Sequence, residues 1–401
     1  MSTGRHADFA RHWQEIALNF LKLGLTSYGG PAIMGLMQIE LQEKRQWVSK
    51  EHFVEGLSLV NMLPGPGATQ LGIFLGYARG GWWGGVLAGV CFIVPGFCLM
   101  LALTLTYAVL GVTPLMRGAL HGLGPVVISI LLIAVYRLGK TTIHTFSQAL
   151  IALAAATAML GSPLSMTAIL LLAGALGLLR FYSFKVGAVV LLVLAVCLSS
   201  LHLPLWSTAV PGTTLPLDAS QPVQVMDIGV FFFKVGALTF GGGLAMIPFI
   251  QDQVVNQLHW LTPQEFLDGL VLGQFIPGPL LIVSAYVGYK IVGLLGAIVG
   301  AAAIFLPSFI FLLVLLPVLE RVRHLVWTQA VMQGIGPAVI GALAVALVQM
   351  TPHAVPDPFA VVLLCASLVA LLPGRLSPFY LMLTGALCGM VRSHLGMLPG
   401  V

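Results

Sequence analysis

Phe20-Leu-Lys-Leu-Gly-Leu-Thr-Ser-Tyr-Gly-Gly-Pro31 returns 212 positions further on as Phe232-Phe-Lys-Val-Gly-Ala-Leu-Thr-Phe-Gly-Gly-Gly243. The match continues outward. Trp47…Phe53-Val-Glu-Gly-Leu57…Leu63-Pro-Gly-Pro66 is answered by Trp260…Phe266-Leu-Asp-Gly-Leu270…Ile276-Pro-Gly-Pro279. Leu75-Gly-Tyr77 pairs with Val287-Gly-Tyr289, Pro95 with Pro307, and Gly122-Leu-Gly-Pro125 with Gly334-Ile-Gly-Pro337. The register holds within one residue from Lys22 to at least Val127. A duplication this long in an apolar chain is the sequence sign of a two-repeat membrane transporter, and it marks the same functional segments twice.

The bulk chemistry agrees. Of 401 residues, 58% are hydrophobic and 8% charged, with a mean hydropathy of +1.01. A soluble domain carries about 25% charged residues, so this chain cannot clothe a water-facing surface and belongs in lipid. It lacks the ten-residue alternating segments of an outer-membrane barrel. The net charge of +5 reads as membrane topology, since no basic cluster points to nucleic acid. The five cysteines stand singly in apolar runs, without the spacing of a metal or redox site. Neither a metal nor another cofactor is expected. Residues 1–16 are polar and no A-x-A site follows, so no cleavable signal is expected.

Long apolar runs near 82–110, 117–137, 145–161, 164–180, 184–203, 293–317, 325–350, 357–373 and 377–396 are expected as spanning helices. A Pro/Thr/Ser-rich linker over 204–225 divides residues 1–203, a first repeat with an extra helix at 184–203, from a second repeat over 226–401. The motif-bearing segments are shorter. Residues 14–27 and 32–43 flank Tyr28-Gly29-Gly30-Pro31, and residues 53–63 and 67–78 flank Pro64-Gly65-Pro66-Gly67. Each flank makes about 16–21 Å of helix, too little for a hydrocarbon core of about 30 Å. Each pair is therefore either one broken span or a re-entrant hairpin. With hairpins and an inside N-terminus, thirteen of the 18 basic residues fall cytoplasmic and three outside; with single spans the split is ten to six. The positive-inside rule favours hairpins. The expected fold is an all-α polytopic membrane protein of two inverted-topology repeats, with broken or re-entrant helices at the midplane.

Breaks at membrane depth are tolerated only where protein or water covers them. Each starts a new half-helix, near Ala32, Gly67, Leu244 and Leu280. Unpaired amides and the positive dipole end at such starts make an anion site. Kinks that serve packing alone are the structural alternative. Lys22 and Lys234 occupy equivalent positions before the glycine breaks. They are candidate cations for an anionic substrate, against snorkelling or pairing with Glu55 or Asp268. Glu55 and Asp268, also equivalent, are candidate proton carriers. Ser27 with Thr239, and Asn61 with Gln274, are matched polar residues able to hydrogen-bond an oxyanion. Their hydroxyls could instead bond their own helix.

With both copies of Phe-x-Lys-x-Gly…Phe/Tyr-Gly-Gly and Trp…Phe…Gly-Leu…Pro-Gly-Pro in one chain, the sequence resembles the long-chain, two-domain form of the chromate ion transporter family. The resemblance covers nearly the whole chain. It implies a multi-pass bacterial inner-membrane protein that exports chromate, driven by the proton-motive force, and is not an enzyme. By position the family's motif residues are Lys22, Gly24, Tyr28, Gly29, Gly30, Pro64, Gly65 and Pro66. In the second copy they are Lys234, Gly236, Phe240, Gly241, Gly242, Pro277, Gly278 and Pro279. The copies are not identical: Gly243 stands opposite Pro31, and Leu280 and Ile282 stand opposite Gly67 and Thr69. The partners expected are chromate or a related oxyanion and the lipid bilayer, with a homo-oligomer left open. A passive anion channel and a transporter of another tetrahedral oxyanion such as sulfate are the alternatives.

Overall fold

The computed structural model describes residues 3–27, 30–110, 113–162, 164–202, 223–239, 243–322, 326–372 and 376–395. All regular structure among them is helical. The first repeat runs α1 (Thr3–Thr26), α2 (Gly30–Met37) with a π-helical extension Gln38–Lys44, α3 (Lys50–Met62), α4 (Gly67–Leu110), α5 (Pro114–Thr142), α6 (Phe146–Gly161) and α7 (Met166–Phe181). Helix α8 (Phe184–His202) follows. The second repeat runs α9 (Val225–Leu238), α10 (Met246–Gln251) with a π-helical extension Asp252–Gln257, α11 (Pro263–Phe275), α12 (Val283–Val292), α13 (Leu294–Val322), α14 (Val326–Ala354), α15 (Pro358–Leu371) and α16 (Pro378–His394). Apart from residues 223–225, the linker expected over 204–225 lies outside the described residues.

The duplication is visible in backbone detail. Both π-helical segments end at a left-handed non-glycine residue, Gln46 (φ 52°) and His259 (φ 50°), just before the matched tryptophans. Ser49 caps α3 through the His52 amide, and Thr262 caps α11 through the Glu265 amide. Helix α4 is in fact two arms, reversed at Gly80 (φ −138°, ψ 20°) and Gly81 (φ 64°, ψ −155°). The same reversal separates α12 from α13 at Gly293 (φ 72°, ψ −152°). Beyond it the arms press together. A Cβ on Gly76 would come within 2.5 Å of the Gly84 carbonyl oxygen, and one on Gly288 would overlap that of Gly296. Lipid tails are as apolar as the helices, so such close backbone packing, rather than hydrophobic burial, holds them together.

The Pro-Gly-Pro segments form hairpins. Gly67 lies against Val60 and Gly56 against the Phe74 ring, so α3 and the first arm of α4 run antiparallel. In the second copy Gly273 lies against Val283 and Gly269 against the Tyr286 ring. Helices α3 and α11 have 13 residues each, about 20 Å, and turn back before crossing a bilayer.

The repeats interlock through a two-fold relation. Gly122 on α5 approaches the carbonyl of Gly385 on α16, and the positions 212 residues away repeat this as Gly334 on α14 against Ala173 on α7. Helix α5 therefore packs against α15 and α16 of the other repeat, as α14 does against α6 and α7. The equivalent helices α5 and α14 meet at the centre, where Gly124 faces Ala354, Gly139 faces Ile340 and Thr142 faces Gly336. That order is antiparallel, so the two repeats are inverted. The glycine contacts extend the register to Gly177 and Gly389, well past Val127.

One expectation is corrected. Among the described residues, four helical segments are long and apolar enough to cross a membrane: Gly67–Leu110, Pro114–Thr142, Leu294–Val314 and Trp327–Ala354. The runs at 145–161, 164–180, 357–373 and 377–396 form helices of 16, 16, 14 and 17 residues, about 21–26 Å long. Apolar turn residues such as Leu164 and Leu372 lengthen the hydropathy run without lengthening the helix.

Candidate functional site

A Pro-Gly-Pro turn owns a single amide hydrogen, because proline has none. A helix end, conversely, leaves carbonyls without partners. The two repeats solve both problems by exchange. The Gly65 amide donates to the Thr239 carbonyl at the end of α9 (2.6 Å), and the Gly278 amide donates to the Ser27 carbonyl at the end of α1 (2.8 Å). Gly65 (φ 125°) and Gly278 (φ 107°) hold conformations that side chains disfavour. Each glycine break thus meets the Pro-Gly-Pro break of the other repeat.

The helices behind the breaks are set by further glycines. A Cβ on Gly24 would lie 2.6 Å from the Phe92 carbonyl oxygen, and one on Gly236 would overlap that of Ile304. The Lys-x-Gly motif is therefore, at its glycine, a close helix contact. The faces opposite are different. Lys22 is exposed on the side of α1 that carries Leu18 (68% exposed) and Leu25 (53%). Lys234 is likewise exposed, beside Val230 and Phe233. Neither makes an ion pair with a described residue, so pairing with Glu55 or Asp268 is not what holds them.

The remaining candidates divide. Ser27, Thr239, Pro64, Gly65, Pro66, Pro277, Gly278 and Pro279 are gathered at the crossed turns. Gly30 opens α2. Gln274 is half-buried near the end of α11. Tyr28, Gly29, Phe240, Gly241, Gly242 and the side chain of Asn61 lie outside the described residues. The Thr239 hydroxyl donates to the Val235 carbonyl of its own helix, whereas the buried Ser27 hydroxyl has no partner among the described residues. Glu55 and Asp268, equivalent in sequence, are not equivalent in place. Glu55 is 49% exposed beside His52 (3.2 Å). Asp268 is buried (6% exposed) and accepts from the Tyr107 hydroxyl (2.8 Å) and the Gln264 amide (3.0 Å). Tyr107 comes from the long arm of α4, so this carboxylate ties α11 to the other repeat.

The half-helix starts also differ. In the first repeat α4 opens directly at Gly67. In the second, 3-10 turns at Gly243–Ala245 and Leu280–Ile282 precede α10 and α12, and bulky Leu280-Leu281-Ile282 replaces Gly67-Ala68-Thr69. Two polar residues at the first break, and Tyr107 beside Asp268, carried no repeat signal, because their partners are not polar. Gln70, Ser308 and Tyr107 stand opposite Val283, Gly96 and Leu319. Only the asymmetry between the copies could have revealed them.

Comparison with known proteins agrees with this architecture. The family model described as "Chromate transporter" matches twice, over residues 14–178 and 226–390. A chromate transport protein of Cupriavidus metallidurans is 32% identical over 394 residues, covering 94% of this chain and 92% of its own. A probable chromate transport protein of Synechococcus elongatus is 31% identical, covering 88% of each chain. A chromate transport protein of Pseudomonas aeruginosa is 32% identical, covering 86% of this chain and 83% of its own. No solved structure matches. With both repeats matched and full-length relatives above 30% identity, the chain belongs to the chromate transporter family.

Proposed function

We propose that this protein exports chromate across the bacterial inner membrane, driven by the proton-motive force, with residues 1–203 and 226–401 as its two halves around the 204–225 linker. The family is one of membrane transport, not of catalysis. The substrate follows from what its relatives are named for. The observation that carries the mechanism is the reciprocal exchange of Gly65–Thr239 and Gly278–Ser27 bonds. It supports a substrate site at the crossing of two inverted hairpins, where half-helix starts favour an anion and relative motion of the halves changes access.

In this reading Asp268 carries the coupling proton, because it is buried and bridges the repeats through Tyr107. Glu55 does not, because it is exposed beside a histidine. Lys22 and Lys234 do not touch the anion. A lysine facing hydrocarbon costs several kcal/mol, so their exposed faces line wet approaches to the site and draw the anion inward. The test is uptake of labelled chromate by everted vesicles under a proton gradient. Uptake that collapses with an uncoupler supports the proposal. Uptake that follows the chromate gradient alone makes the protein a passive channel, and equal displacement by sulfate makes it a general oxyanion carrier.

A further inference from the structure

We propose that the oxyanion is held off-centre, at the first Pro-Gly-Pro turn, by Thr69, Gln70 and Ser308, and that this site selects its monoprotonated form. The inference rests on the oxyanion-transport reading above. Thr69, Gln70 and Ser308 are each 0% exposed. The Thr69 hydroxyl, the Ser308 hydroxyl and the Gln70 side-chain oxygen have no hydrogen-bond partner among the described residues. Leaving one such buried group unmade costs about 1–3 kcal/mol, so three at one turn ask for a ligand.

Gln70 and Ser308 converge from the two repeats. The position a Gly65 Cβ would occupy lies 2.6 Å from the Ser308 hydroxyl and 2.6 Å from the Gln70 side-chain nitrogen. Thr69 and Gln70 stand in the first turn of α4, and the first helical amide bond there is Gln70 to the Pro66 carbonyl (3.0 Å). The amides of Gly67, Ala68 and Thr69 precede it, at the anion-favouring end of a long helix. At the second turn Ile282, Val283 and Gly96 stand in the corresponding places, and the hydroxyls buried there without a partner among the described residues are those of Ser27 and Ser284.

The donor and acceptor balance names the ligand. Two hydroxyls and a helix start donate to an oxyanion. Gln70 does the opposite. Its side-chain nitrogen donates to the Pro64 carbonyl (2.6 Å), which fixes the amide orientation and leaves its oxygen a buried acceptor with no partner among the described residues. An acceptor repels a bare dianion but receives a bond from an X–O–H group. Chromate takes up a proton near neutral pH; sulfate does so only in strong acid. The site therefore prefers hydrogenchromate, and sulfate fails for want of a proton. The titratable groups on the helices packed around α4 are placed elsewhere. On α1 they include Arg11, His12, Glu15 and Lys22; on α3, Lys50, Glu51, His52 and Glu55; on α11 and α12, Glu265, Asp268 and Lys290. None of them bonds to Thr69, Gln70 or Ser308.

The experiment is initial-rate uptake of chromate by energised everted vesicles across pH, in variants shown to be inserted, with molybdate, which protonates at lower pH, as a second oxyanion. We expect Ser308→Ala and Thr69→Val to raise the KM about tenfold, the loss of one hydrogen bond to a charged group. Thr69→Ser should restore it, and Ser284→Ala in the second repeat should leave it unchanged. The pH at which affinity falls should differ between the two oxyanions, following each one's own protonation. An unchanged KM in both Ser308→Ala and Thr69→Val, or one shared pH midpoint for both oxyanions, would overturn the inference while leaving chromate transport standing. A wild type that is inserted and takes up no chromate would instead overturn the transport reading beneath it.

Discussion

The Gly65 amide lies 2.6 Å from the Thr239 carbonyl, and its counterpart joins Gly278 to Ser27. These bonds close each break with the helix end of the opposite repeat, so neither hairpin is complete alone. A net hydrogen bond contributes about 0.5–1.5 kcal/mol. The two bonds pin the crossed turns, while the packing of α5 on α16 and of α14 on α7 holds the repeats together.

Close helix packing gives the first prediction. Gly24→Ala and Gly236→Ala place a methyl group against a backbone carbonyl, and overpacking of that kind costs about 1–3 kcal/mol. Both variants should melt earlier in detergent, followed by circular dichroism. Gly35→Ala, with nothing within 4 Å of the new Cβ, should melt like the wild type.

A proton carried by Asp268 alone predicts different outcomes for Asp268 and Glu55, which differ in burial. Asp268→Asn should lose accumulation driven by the proton gradient yet keep downhill exchange of chromate. Glu55→Gln should keep both. Counterflow and energised uptake in the same vesicles distinguish these outcomes, and the reverse pattern would reassign the proton to the first repeat.

Long-range attraction by Lys22 and Lys234 predicts a KM effect. Each charge removed with glutamine should weaken approach by about 1 kcal/mol, roughly fivefold in KM. The difference from wild type should shrink at high salt, where exposed charges are screened. Initial rates at two ionic strengths measure it.

Asp357, in the turn between α14 and α15, joins α15 and α16 to α5 of the first repeat. It caps the Ala360 amide (2.8 Å), accepts from Arg392 (2.6 Å) and lies 3.1 Å from His121 Nε2. Burial opposes its ionisation, but the Ala360 amide and Arg392 outweigh burial and hold the carboxyl below its ordinary 3.8. A lowered carboxyl stabilises the fold above pH of about 4, and the contribution is lost as pH falls through the lowered value. Asp357→Asn keeps a capping residue but loses the charge-assisted bond to Arg392, and should therefore cost about 1–2 kcal/mol at neutral pH. Its deficit should close in acid, which melting temperatures across pH will show.

Much of this was readable in the residues. The matched Phe-x-Lys-x-Gly and Pro-Gly-Pro segments disclose the duplication and the breaks because proline and glycine act on the backbone locally. Hairpin closure rests on contacts such as Gly56 with Phe74, which only the folded chain displays. Pairing Lys22 with Lys234 and Glu55 with Asp268 assumed that equivalent positions share an environment. The structure keeps both lysines outward, but buries Asp268 against Tyr107 while exposing Glu55. Repeat logic finds what the copies share, and it is blind to Gln70 and Ser308, whose chemistry lies in the difference.

The most direct measurement is energised chromate uptake by everted vesicles carrying Gly65→Ala, at membrane insertion matched to wild type and Gly35→Ala. A side chain at φ 125° meets Gln70 and Ser308 at 2.6 Å. The strain, about 1–3 kcal/mol, disturbs the turn that the Thr239 carbonyl holds. A loss of at least about tenfold, with Gly35→Ala unaffected, is the predicted result. Wild-type uptake by Gly65→Ala would contradict a substrate site at the crossed breaks.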